Sequence, residues 1–132
     1  MSNLKDFMLE SVEETQEIKL ARFKTPFKIK TITEEENDAI RKASMMPIKK
    51  NGTVHKELDS ARYSRELMLA CVVEPNFRSS ELCDFYKTLD PLEVPGKMLR
   101  AGEYMQISRA IAKLNGFDDE ASEELEEEVK NS

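Results

Sequence analysis

Apolar positions recur with two different periods along this chain. Ile18 and Leu20, then Phe27 and Ile29, alternate with Lys19, Lys28 and Lys30, and Pro26 lies between the runs. A period of two belongs to a strand whose faces differ, so two short strands joined as an N-terminal β-hairpin are predicted. From residue 33 the spacing lengthens to three and four, the helical pattern. Thr33-Glu34-Glu35-Glu36 opens a first helix, because the Thr33 hydroxyl can accept from the amide of Glu36 while that carboxylate reaches back to the amide of Thr33. It is expected to reach about Ala43 and to bury Ala39, Ile40 and Ala43. Asp59 or Ser60 caps a second helix, nearly all apolar from Leu67 to Val73 and stopped by Pro75. Ser79 or Ser80 caps a third, with Leu82, Phe85, Tyr86 and Leu89 on one face. The stretch PGKMLRAGEYMQISRAIAKLNGF reads as one last helix with Tyr104, Ile107, Ile111 and Leu114 as its stripe. Gly116 ends it by adopting left-handed backbone without a Cβ clash, with Phe117 turned back toward Ile111 or Ala112.

Two stretches fit neither period. Leu4, Phe7 and Met8 make a short amphipathic turn ahead of the polar run Glu10 to Glu17. SMMPIKKNGTVHK contains Pro47 and the turn pair Asn51-Gly52 and is read as a loop or small hairpin. That stretch has little of its own to bury Met45, Met46 and Ile48 against, so these residues either fold back on the body or, because unbranched thioethers adapt to varied surfaces, are candidates for partner contact. His55, the only histidine, stands among Lys49, Lys50 and Lys56 without neighbours for a metal or a catalytic pair.

Charge sharpens the domain picture. The net value of −6 resides wholly beyond residue 117, because residues 118–132 hold one Lys against eight acids. We therefore expect a poorly ordered segment over 1–17, one domain over 18–117 and an acidic disordered tail over 118–132. The fold class predicted is α+β, mainly helical, with the β-hairpin placed before three packed helices. Cys71 and Cys83 lie in apolar patterns and are read as small core side chains rather than a disulfide. The N-terminus carries acids where a secretory signal needs an apolar run, and no apolar stretch approaches the roughly 18 residues of a membrane span, so a soluble cytoplasmic protein is expected.

Candidate chemistry is sparse. Phosphate-binding loops, nucleophile elbows and zinc-protease motifs are missing, and four glycines are too scattered for a phosphate cradle. Glu103 beside Tyr104, or Glu35 with Glu36, are acid-base candidates only in isolation, since charged helix faces are normally solvated. No enzyme, no cofactor and no metal are expected. Lys19, Arg22, Lys24, Lys28 and Lys30 form a run of cations without an acid, which supports an alternative reading as a small nucleic-acid-binding regulator. Snorkelling lysines on a solvated strand explain the same run more simply.

The order of RFKTPFKIKTITEEENDAIRK, ELMLACVVEPNFRSSELCDFY and KMLRAGEYMQISRAIAKLNGFD resembles the XkdN-like tail assembly chaperones of phages and phage-derived elements of Gram-positive bacteria. The TEEE start at Thr33, VVEPN at Val72 to Asn76, the block from Met98 to Tyr104 and LNGFD at Leu114 to Asp118 carry the likeness, over about Arg22 to Asp118. The resemblance implies a protein of the host bacterial cytoplasm that binds the tape measure protein, assists polymerisation of the major tail protein and is absent from the mature tail. Self-association stays open, and a frameshifted longer product would share this body. On this reading an apolar groove lined by Met98 and Met105, with Met45, Met46 and Ile48, would take the partner.

Overall fold

Phe27 and Ile29 point into the protein and Lys28 and Lys30 away from it, and that alternation sets the first layer. The computed structural model describes residues 3–10 and 13–117, so the acidic segment 118–132 lies outside the described residues. In chain order the elements are a 3₁₀ turn Leu4–Phe7, β1 Thr15–Ile18, β2 Phe27–Lys30, α1 Glu34–Ala43, β3 Met45–Lys50 and β4 Thr53–Leu58. They continue with α2 Ser60–Cys71, β5 Val72–Glu74, α3 Ser80–Phe85, a 3₁₀ turn Pro91–Glu93, α4 Val94–Met98 and α5 Ala101–Leu114. The architecture is α+β.

β1 and β2 pair antiparallel from Ile18 opposite Phe27 to Thr15 opposite Lys30. They are not a free-standing hairpin, because β5 pairs antiparallel with the other edge of β2 and completes a three-stranded sheet. Glu14 joins the same edge, its carbonyl accepting from Thr31 N at 2.9 Å, so paired chain begins within the segment 1–17. The sheet, α2 and α5 enclose one core in which Phe27, Ile29, Met68, Phe77, Val94, Ile107 and Ile111 are almost fully buried. Cys71 and Cys83 are buried free thiols, and burial pushes the Cys71 thiol up to about 11, which keeps it protonated at neutral pH.

Several helix expectations are corrected. The apolar run to Val73 is not all helix: α2 stops at Cys71, and Val72 turns to extended backbone because β2 offers an unpaired edge there. α3 is only Ser80–Phe85, so Phe85 and Leu89 are exposed instead of forming a buried stripe. It ends in a Schellman turn with Lys87 at φ 56°, Lys87 N donating to Asp84 O at 3.2 Å and Thr88 N to Cys83 O at 3.0 Å. The last helix is two, since Leu99 and Arg100 are extended and separate α4 from α5. α1 has the predicted capping box at Thr33 and Glu36, but Ala39 and Ala43 are exposed and the buried residue is Asn37. Its amide oxygen accepts from the Tyr63 hydroxyl of α2, a partly buried polar contact where an apolar one was expected.

Asn115 closes the structure at the end of α5. Its Oδ1 accepts from Ile32 N at 2.8 Å, while Nδ2 donates to Ile111 O at 2.9 Å and lies 3.5 Å from Lys30 O and 3.9 Å from the Cys71 Sγ. One side chain thus reaches the ends of β2, α2 and α5. Gly116 follows at φ 72°, and Phe117 N donates to Ala112 O at 2.9 Å, completing the predicted glycine stop.

Removing a partly buried amide leaves its partners unpaired. Asn115→Ala should therefore cost about 1–3 kcal/mol in urea unfolding. Asn115→Asp keeps the acceptor for Ile32 N but sets a carboxylate oxygen against the carbonyls of Ile111 and Lys30, so at neutral pH it should lose at least as much as Asn115→Ala.

Candidate partner-binding surface

An elbow shapes a broad concave surface. Extended Leu99 and Arg100 let α4 end and α5 begin in a new direction, and the freed amide of Arg100 is recovered by the Glu103 carboxylate at 2.7 Å. The same carboxylate receives Arg22 from the β1–β2 connection, with Nη2 at 2.7 Å and Nε at 3.1 Å. Arg22 Nη2 also donates to Met98 O at 2.8 Å, so one guanidinium holds both sides of the elbow. Arg22 beside it, and the Arg100 amide, hold the Glu103 carboxyl well below the usual carboxylate range, at about 2.

Next to this elbow opens a cleft of about 770 Å³. Leu92, Leu99, Tyr104 and Met105 give it apolar lining, Gly96 and Ala101 contribute little bulk, and Arg65, Lys97 and Glu93 carry its charge. Burial raises the Tyr104 pKa while nearby Arg65 lowers it, the burial effect being the larger. Glu93 accepts from the Thr88 hydroxyl at 2.7 Å, which fixes that carboxylate and leaves two cations against one restrained acid. The cleft suits a rod with an apolar stripe and acidic flanks. A smaller pocket of about 290 Å³ lies across the elbow, between Phe23, Phe27, Pro75 and Met98.

The second surface is the β3–β4 hairpin. Asn51 at φ 51° and Gly52 at φ 78° make the two-residue turn foreseen from the Asn-Gly pair. Met45, Met46, Val54 and Leu58 are exposed on it, Val54 most at 65%, and Ile48 is half-buried. The five candidate residues therefore occupy three places. Met105 lines the cleft, Met98 lines the smaller pocket, and Met45, Met46 and Ile48 stand on the hairpin and line neither. Arg65, Leu92 and Lys97 were missed because only the fold gathers α2 and the segment before α5. In the sequence Pro91 and Pro95 bracket that segment as a connector, but two prolines give no sign of its concavity.

Of the five cations in the basic run, Arg22 is committed to Glu103, and Lys30 lies 3.7 Å from Glu13. His55 is exposed on β4. Among the described residues no group of three or more His, Cys, Asp and Glu side chains is placed to hold a metal, and no helix is long and apolar enough to cross a membrane.

Comparison with known proteins places this geometry in a family. The profile of the phage XkdN-like tail assembly chaperone proteins matches residues 4–130, a wider span than the 22–118 on which the resemblance was read. The phage-like element PBSX protein XkdN of Bacillus subtilis strain 168 is 39% identical over 109 residues, covering 80% of this chain and 72% of that protein. An uncharacterised protein of the same organism, YqbN, is 41% identical over 109 residues with the same coverage. The crystal structure of YqbN superposes with a TM-score of 0.73 at 30% identity, over 89% of this chain and 99% of that one.

The Glu103 geometry fixes the sign of a pH effect. A carboxyl held below its ordinary value of 4.5 contributes fully above that pH and loses its contribution as the pH falls toward 2. Wild type should therefore exceed Glu103→Gln in urea midpoint by the widest margin above pH 4.5, and the two should converge toward pH 2.

Proposed function

The chain belongs to the XkdN-like family of phage tail assembly chaperones, and on that premise we propose that it binds the tape measure protein and assists polymerisation of the major tail protein around it. It acts in the cytoplasm of the host bacterium, transforms no substrate and leaves before the tail is complete. A long helical protein with unpartnered apolar stripes aggregates unless those stripes are covered, and a small protein with a shallow groove covers one segment at a time.

The observation that carries this reading is the cleft beside the elbow. Its apolar lining at Leu92, Leu99 and Met105 matches a helical stripe, the low bulk of Gly96 and Ala101 permits close approach, and Arg65 and Lys97 can receive acids flanking that stripe. Met98 in the neighbouring pocket and Met45, Met46 and Ile48 on the hairpin extend the adaptable surface beyond it. The eight acids of residues 118–132 give the complex a net charge that keeps it dispersed.

Co-expression with the tape measure protein of the same phage element tests this. The wild-type chain should hold that protein soluble and elute with it on a sizing column. Gly96 lines the cleft and has nothing within 4 Å of where a Cβ would stand, so Gly96→Trp has room to begin a bulky side chain at the cleft. That variant and Met105→Glu should fold normally and weaken the complex by roughly tenfold to a hundredfold. A tape measure protein equally soluble alone would refute the chaperone reading. Undiminished binding by both variants would instead remove the cleft from it.

A further inference from the structure

The β3–β4 hairpin is a two-stranded sheet with a consistent one-residue-to-one-residue register from Met45 opposite Leu58 to Lys50 opposite Thr53. At its base Asp59 N donates to Ser44 O at 2.8 Å, which continues that register by one pair and marks it as hydrogen-bonded. Because bonded and non-bonded pairs alternate in an antiparallel ladder, the pairs 46/57, 48/55 and 50/53 are also bonded. The intervening residues Met45, Pro47 and Lys49 of β3, and Val54, Lys56 and Leu58 of β4, direct their backbone groups away from the partner strand.

The two outer edges therefore differ. On β3 the middle outward position is Pro47, which has no N–H, so that edge is interrupted. On β4 Val54, Lys56 and Leu58 present an unbroken row of outward donors and acceptors. The side chains of these three residues share one face of the hairpin with Met45, Pro47 and Lys49. Among the described residues neither Lys49 nor Lys56 has an ion-pair partner, whereas Glu57 is engaged by Lys50 at 3.8 Å. The exposed face is thus apolar with two free cations.

We propose that the outer edge of β4 receives an extended segment of a partner protein as a third strand, reading apolar, acidic, apolar at alternate positions opposite Val54, Lys56 and Leu58. A second copy of this chain fits less well. Pairing β4 with itself so that Val54 faces Leu58 sets Lys56 directly against Lys56, and like charges opposite one another are destabilising. Naming a phage tail protein as the source of the strand rests on the proposed function, whereas the strand-accepting edge stands without it.

Two measurements separate these. A synthetic heptapeptide, Thr-Val-Thr-Glu-Thr-Val-Thr with blocked ends, is titrated into the isotope-labelled full chain at millimolar concentration. The amide signals of Val54, Lys56 and Leu58 should shift, and those of Met45 and Lys49 should not. Lys56→Pro removes an outward donor on β4 and Lys49→Pro the equivalent donor on β3, neither of which bonds within the hairpin. Amide exchange at Ile48 and His55 confirms that the hairpin survives in each. Lys56→Pro should weaken peptide binding about tenfold or more, and Lys49→Pro should leave it within about twofold. No shift, shifts on both edges, or equal losses in the two variants overturn the proposal, as do concentration-dependent shifts at Val54 to Leu58 without peptide, which would place a second copy there. The same two variants are then run in the tape measure co-expression. Peptide binding with no capture of the tape measure protein by the wild type would refute the tail partner and leave the edge intact.

Discussion

The amide of Asn115 is the contact on which the body depends. It meets Ile32 N just beyond β2, Ile111 O within α5 and, at longer range, the Cys71 thiol at the end of α2. Bringing together residues so far apart in the chain costs loop entropy that no local propensity repays. Burial of Phe27, Ile29, Met68, Ile107 and Ile111 repays it, but apolar burial alone is tolerant of sliding. The hydrogen bonds are directional, so they select one position of α5 along the sheet.

Arg22 performs the matching task at the other end of the same helix. Glu103 stands in the first turn of α5 and Asn115 just past its last, while the buried Ile107 and Ile111 lie between them. α5 is therefore held at both ends by polar contacts to the chain flanking β2, and between those ends by apolar packing. This fixes Tyr104 and Met105, which line the cleft. The elbow is a consequence of the same geometry: Arg100 gives up helical backbone, and Glu103 satisfies its amide.

Local chemistry was legible in the sequence. The Thr33 and Glu36 capping box, the Asp59 and Ser79 caps, the Asn51-Gly52 turn and the Gly116 stop all form as their residues predict, because each needs partners only a few positions away. What could not be read depended on distant partners. Val72 is apolar in either a helix or a strand, and only the free edge of β2 decides for strand. Leu99 reads as helical until Arg22 and Glu103 stabilise the bend beside it. Phe85 and Leu89 have helical spacing but no surface waiting for them. The cleft was illegible for the same reason, since α2 contributes Arg65 to a wall otherwise built from residues 92–105. Side-chain type singles out the methionines as adaptable contacts, but type alone does not say which of them share a surface.

The β3–β4 hairpin is not self-sufficient. Two strands without a third are marginal in water, and this pair leaves Met45, Met46, Val54 and Leu58 exposed. Its root is held by polar contacts instead. Ser44 is fully buried, its hydroxyl donating to Ile40 O at 2.8 Å and its carbonyl accepting from Asp59 N, while Asn37 joins α1 to Tyr63 of α2. These contacts fix where the strands leave the helix pair without covering their faces. Pre-ordering matters for any partner, because a surface already held in shape loses less conformational freedom when it is covered. An anchored root with uncovered faces is a poor arrangement for maximal stability and a suitable one for contacts that must form and then be given up.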